Sequence, residues 1–263
     1  MIPDDLAEPG STPMTLQTQA PTMEPARIAL VYNEPGELAW PERALRRRIP
    51  WGNAGMPQEP FRYPTFPEGT ACALIDREDF EWNRAANAVV WQILIGTYEH
   101  LRWPAKRIAY DPFGWDPAKL RRTLWSSLPL SGFTTHMRTR RAMLPFLEGW
   151  DGAATDAYPP AGYSTAEYLE WARLKIQAHV RVCREGGLEP WVLLALEPAG
   201  IAALAMPMQA GLVADVRGRF GFDDIRWGLW GWAAADQPAK RMVHLAAAHL
   251  FMSSLDAMGV PVA

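Results

Sequence analysis

Strand-like and helix-like segments alternate about six times along this chain, which predicts a parallel sheet joined by crossover helices, an α/β fold. No G-x-G-x-x-G follows any of the predicted strands, as an open dinucleotide-binding sheet would require. Several predicted strands instead end on an acidic or aromatic residue, as strands do when their C-terminal ends open onto one shared face. Together these features predict a distorted or incomplete TIM-type (β/α) barrel, with too few strands for a regular eight-fold one.

Residues 1–25 are rich in Pro, Thr and Gln and lack apolar periodicity, so they read as a flexible arm. Residues 26–263 read as a single barrel domain, a size such barrels reach as one unit. The first strand is expected at Arg27–Tyr32 and a short helix over Pro41–Arg48. The stretch Ile49–Gly69, dense in Pro and Gly and without a period, reads as a long irregular loop. Ala71–Ile75 is a short apolar run bounded by Glu68-Gly69, hence a buried strand. A helix over Asp79–Arg102 stops before Pro104, and a strand follows at Arg107–Asp111.

Asp116 and Pro117 open a helix running to Leu128, and Thr134–Leu147 reads as another. Ala153–Tyr158 is a strand of small residues. Ser164 and Glu167 form a capping box for a helix that runs to about Arg184 and closes at Gly186-Gly187. Pro190–Leu196 is a continuous apolar strand, followed by a helix over Pro207–Arg219. Asp224–Trp232 is the last strand and Ala239–Met258 the closing helix.

Composition narrows the function. With 49% hydrophobic and 21% charged residues, the chain has material for a sizeable core. A net charge of −3 gives no reason to expect a nucleic-acid or membrane-surface partner. Its one basic cluster, Arg43–Arg48, reads as a solvated helix face, with a polyanion-binding edge as the alternative. No apolar run reaches the roughly 18 residues of a membrane span, and no basic-then-apolar leader opens the chain, so a soluble protein is expected. Two cysteines, Cys72 and Cys183, are too few for a disulfide framework and read as buried thiols, with a single bridge as the alternative.

Thirteen tryptophans exceed what a core needs. Many stand beside Pro, Gly or a strand end, where flat rings suit the apolar faces of sugars, although a large core would use several of them.

The chemistry centres on Asp76 and Glu78. At i and i+2 of an extended chain they point the same way, with Cα atoms about 6.6 Å apart. Paired carboxylates at the mouth of a barrel are what glycosidic hydrolysis uses; a solvated acidic loop would carry the same triplet. The other strand ends supply Tyr32, Asp111, Asp156, Tyr158, Glu197, Trp230 and Trp232, all expected to open onto the same face. A metal is not expected: His100, His136, His179, His244 and His249 fall within helices, none with a ligand spacing beside a carboxylate. The absence of G-x-S-x-G disfavours a Ser-His-Asp hydrolase.

The run Leu74–Phe80, LIDREDF, resembles the "VIDxExW" strand end of hyaluronidases and, more loosely, the D-x-E strand of chitinase-like enzymes. Asp156-Ala157-Tyr158-Pro159 resembles the tyrosine-bearing strand of that group, and Ile225–Trp232 is similar to its late "GVVLWG" strand. The resemblance covers about residues 70–260. Phe80 stands where the family has Trp, Glu81-Trp82 replaces its Arg-Pro, and its disulfides are missing, which leaves the substrate open.

The resemblance implies a glycosidase acting on an amino-sugar polymer without a cofactor. Glu78 would be the acid/base, its pKa raised by a charged neighbour and partial burial, and Asp76 would orient the substrate's own acetamido group. Tyr158 would bond the acetamido oxygen and Trp230 would wall the sugar. On another sugar Glu78 would pair with Glu197 or Asp111 as acid and nucleophile. A catalytically silent barrel, binding carbohydrate or serving in a phage particle, is the alternative.

Overall fold

The computed structural model describes residues 24–32, 48–53, 72–76, 106–110, 112, 137–138, 140–158, 164–196, 202–231 and 237–262; for 30–32, 48–53, 72–73, 75–76 and 202–204 it describes the backbone alone. The strands are β1 (Arg27–Tyr32), β2 (Arg48–Asn53), β3 (Cys72–Asp76), β4 (Lys106–Tyr110), β5 (Gly152–Asp156), β6 (Glu189–Ala195) and β7 (Arg226–Gly231). Three long helices follow the last three strands: α1 (Thr165–Glu185), α2 (Ala202–Phe220) and α3 (Pro238–Ala257).

Each strand pairs in parallel with the next, and β1 pairs with β7 from Arg27↔Arg226 to Tyr32↔Gly231, so the ladder returns on itself as a closed ring. A parallel ladder puts every strand's C-terminal end at one rim. Beside the opposite rim the N-terminal segment is tied to the C-terminus: Ala26 bridges Val262, and Arg217 donates to the carbonyl of Glu24.

Alternation along the strands makes two apolar layers. Ile28, Ala109, Ala153, Val192, Leu194, Trp227 and Leu229 face the helices in the larger core. Their alternates Ala29, Leu74, Ile108, Tyr110, Ala154, Trp191 and Leu193 fill a separate cluster inside the ring. Burial on both faces is why β6 reads as an unbroken apolar run. Gly152 is the tightest point: a Cβ there would lie 2.7 Å from Ile108 Cδ1 and 2.7 Å from the carbonyl oxygen of Glu189, so only glycine admits these neighbours.

The capping box forms as expected. Ser164 Oγ accepts from Glu167 N at 3.3 Å, and Glu167 Oε2 accepts from Ser164 N at 2.8 Å. At the other end Gly187 takes φ +67°, a conformation glycine adopts without strain.

Three expectations need correction. Arg48–Asn53, assigned in part to a helix and in part to an irregular loop, is strand β2. Its first three residues pair with β1 and its last three with β3, so Pro50 withholds at most one ladder bond, and RIPWGN shows no alternation to announce it. Arg48 therefore opens a strand and does not belong to a helix face. Helix α2 begins at Ala202, five residues before Pro207, which lies inside it; read as a starting proline, it hid the preceding turn.

The predicted helix over Thr134–Leu147 is not continuous. Met137, Arg138, Arg140 and Arg141 are helical, then the chain tightens into a 3-10 turn at Leu144–Leu147 around Pro145, whose missing N–H cannot continue the α ladder. The helices expected over Asp79–Arg102 and Pro117–Leu128 lie outside the described residues. Among the described residues no helix is long and apolar enough to cross a membrane.

Candidate active site at the C-terminal rim

Asp76 is the last residue of β3, and the register sets it between Asn53 of β2 and Tyr110 of β4. Tyr110 is buried and belongs to the cluster inside the ring. Tyr158 and Trp230, both half-buried, pack against the same cluster from β5 and β7, the two strands that flank β6. Their rings stack on each other with centroids 5.6 Å apart and planes 25° apart. Such an offset pair contributes about 1 kcal/mol beyond its buried area and leaves one edge of the ring's mouth lined by aromatic surface.

The backbone beneath Tyr158 is held from behind by one face of α1. Tyr168, Lys175 and His179 are spaced seven and four residues apart, so their side chains stack along one side of the helix. Each reaches a successive point on β5 and its extension. His179 Nε2 lies 3.0 Å from the carbonyl of Ala153, Lys175 Nζ pairs with Asp156 Oδ1, and the Tyr168 hydroxyl donates to the carbonyl of Ala157 at 2.8 Å. Higher helix numbers meet lower strand numbers because the crossover helix runs back along the strand. On the opposite side, Ala157 N donates to Leu193 O at 2.8 Å. Residues 156 and 157 are thereby clamped between α1 and β6, and Tyr158 is the next residue out.

This face is buried. The Lys175 side chain is 1% exposed and its Nζ also lies 5.2 Å from the Trp171 ring centroid, so the ammonium is held by a carboxylate and a π-face. Burial and then the nearby Asp156 charge push the Tyr168 phenol up, keeping it a neutral donor. Burial and then the Arg140 guanidinium hold His179 well below the usual histidine range. Arg140 can only donate, so His179 Nδ1 accepts from it at 3.2 Å and Nε2–H donates to Ala153. Burial pushes the Cys183 thiol up to about 12, and the thiol is free, so the alternative of a bridge between the two cysteines is set aside.

Of the residues singled out by sequence, Tyr158 and Trp230 meet at the rim, and Asp156 stands one layer below in its ion pair with Lys175. Asp76 and Tyr32 end their strands at the same rim, where their backbones are described. Glu78, Asp111, Glu197 and Trp232 lie outside the described residues. Sequence reasoning missed Lys175 and Tyr110. Lys175 had a signal: a cation four residues after Trp171 and one before Ile176, on the apolar face of α1, needs a buried partner. Among the described residues no group of three or more His, Cys, Asp or Glu could hold a metal ion.

No protein-family model matches the chain, and no curated protein matches it by sequence. Solved structures that match the chain include the following two. Bee venom hyaluronidase aligns over 71% of this chain and 69% of its own, with 11% identity and a TM-score of 0.44. D-Psicose 3-epimerase from Clostridium cellulolyticum H10, solved with D-tagatose, aligns over 73% of this chain and 78% of its own, with 10% identity and a TM-score of 0.28.

Proposed function

We propose that the chain is a glycoside hydrolase of amino-sugar polysaccharides, built on a distorted or incomplete TIM-type (β/α) barrel whose ring holds seven strands among the described residues. The observation that carries this reading is the shared rim. Asp76 ends β3 there, two residues before Glu78, and the Tyr158–Trp230 pair lines the same mouth. An acid pair supplies proton transfer, and flat rings supply a surface on which a pyranose stacks.

In this reading Glu78 protonates the leaving glycosidic oxygen and then accepts a proton from water. Asp76 orients the acetamido group whose carbonyl oxygen attacks the anomeric carbon, the substrate-assisted route to retention. Tyr158 hydrogen-bonds that oxygen and Trp230 walls the subsite. Asp156, tied to Lys175, acts through its neighbour: it is a positioning residue for Tyr158. Tyr32, Asp111, Glu197 and Trp232 complete the sugar-binding rim. The acid/base chemistry calls for no cofactor.

The test compares wild type, Glu78→Gln and Asp76→Asn on chitin, hyaluronan and peptidoglycan fragments. Cleavage of at least one polymer by wild type, with Glu78→Gln slower by about 10²–10⁴-fold, supports the reading. A wild type that binds these polymers and cleaves none overturns it in favour of a carbohydrate-binding barrel.

A further inference from the structure

Among the described residues, the ladder between β5 and β6 ends early and side chains finish it. Paired from Gly152↔Glu189 to Asp156↔Leu193, it makes its last bond from Ala157 N to Leu193 O at 2.8 Å. In the same register the next rung would run from Ala195 N to the carbonyl of Ala157, and from the N–H of residue 159 to the carbonyl of Ala195. Residue 159 is proline and has no N–H to give. Two helices supply what the rung lacks. Tyr168 of α1 donates to Ala157 O at 2.8 Å. Gln209 of α2, fully buried, meets both polar groups of Ala195: its Oε1 accepts from Ala195 N at 2.9 Å, and its Nε2 donates to Ala195 O at 3.0 Å.

The interrupted rung lies directly under the aromatic pair. Ala195 is level with Trp230 on one side, and continuing the β5 register sets it level with Tyr158 on the other. Strands two places apart in a sheet stand about 9.6 Å from each other. The two ring centroids are 5.6 Å apart, so the rings close toward each other over β6. Alternation from Trp191 and Leu193 turns the Ala195 side chain to the inside of the ring of strands, and a methyl group leaves them room.

We propose that Gln209 is a positioning residue for the Tyr158–Trp230 platform. Standing in for the missing strand partner, it fixes the Ala195 peptide beneath the rings and frees Tyr158 to leave the ladder and stack on Trp230. Only Asn and Gln carry an acceptor and a donor side by side as a peptide edge does, and Gln has the longer reach. An apolar residue in its place would leave the N–H and carbonyl of Ala195 buried and unpaired. That the platform receives a sugar rests on the glycosidase reading above; that Gln209 sets the platform does not.

A double-mutant cycle of Tyr158→Ala and Trp230→Ala, read by urea denaturation of the full chain, measures the ring contact whether or not a sugar binds. The coupling is expected to be present in wild type and to fall to about half or less in Gln209→Met, which keeps the volume and loses the amide. A glutamine that only stabilises the fold would lower every unfolding midpoint equally and leave the coupling intact. Should Gln209→Met not fold, Gln209→Asn, a methylene shorter, serves in its place with the same expectation. Calorimetry with chitin oligosaccharides supplies the second arm. Gln209→Met should weaken affinity about threefold, and cause no further loss once Trp230→Ala is present. A wild type that binds no sugar overturns the glycosidase reading and leaves the ring cycle to decide on Gln209. No coupling in wild type, coupling unchanged in Gln209→Met, or an affinity that Gln209→Met leaves intact or lowers equally without Trp230 each overturns the proposal.

Discussion

The two ends of the strand ring carry polar groups of opposite design. At the N-terminal end, charges on neighbouring and next-but-one strands neutralise one another. Glu189 of β6 accepts from Arg226 Nε of β7 at 2.8 Å and from Trp191 Nε1 at 3.2 Å, with Lys106 of β4 at 3.5 Å. Asp151, just before β5, accepts from the backbone N and the Nε of Arg107 at 2.8 and 3.2 Å. Carboxylates held this way link strands and leave little capacity for a ligand.

At the C-terminal end Asp76 closes a strand beside an aromatic-lined mouth, and the one acid there whose side chain is described, Asp156, is satisfied by a lysine from the helix behind. The difference teaches where to look for chemistry. Among the described residues one rim pairs its carboxylates with cations; the other presents half-buried rings on a backbone clamped from outside.

If that division is right, substitutions at the two rims separate activity from stability. The largest expected effect is Glu78→Gln, with activity down about 10²–10⁴-fold at an unchanged melting temperature. Next is Lys175→Met, which strands Asp156 without its buried partner. We expect a loss of about 3 kcal/mol, read as a melting temperature lower by roughly 6–12 °C. A Lys175→Met protein as stable as wild type would mean that the clamp behind Tyr158 is ornamental. Trp230→Ala is a smaller perturbation: it removes the ring stacked on Tyr158 and should weaken oligosaccharide binding about threefold to tenfold by calorimetry. Unchanged affinity would take the aromatic wall out of the site.

Much of this arrangement was legible because local chemistry and fold agreed. β6 is buried on both faces, so its apolar run could only be a core strand, and Ser164 with Glu167 announced α1 by a mechanism that needs no tertiary context. β2 escaped notice because it is held by partners: RIPWGN has neither alternation nor an apolar run, and only the ladders to β1 and β3 make it extended. The start of α2 was lost for the opposite reason: a strong local rule about starting prolines did not hold, and Pro207 lies inside the helix. At the site, Tyr158 and Trp230 could each be placed at a strand end, yet their stacking depends on β6 lying between β5 and β7. Lys175 shows what one-dimensional reading omits. Its partner, nineteen residues earlier, is found only once α1 runs back over β5.

The smallest effect is also the one that separates the rims most cleanly. Burial pushes the Glu189 carboxyl up, but the Arg226 guanidinium, Lys106 and the Trp191 N–H outweigh it and hold the group below the usual carboxylate range. A carboxyl depressed in the fold contributes stability that is fully present above its unfolded pKa and drains away as pH falls through its folded one. Glu189→Gln should therefore lower stability by about 1 kcal/mol at neutral pH, or roughly 2–4 °C, while leaving any glycosidase activity as it was. The gap between wild type and variant should hold from neutral pH down to the ordinary glutamate range and close below it, as wild-type Glu189 takes up its proton. A gap that stays constant into strong acid would mean that hydrogen-bond shape, and not charge, joins β6 to β7. Activity lost together with stability would mean that the closed rim and the open one do not divide the work.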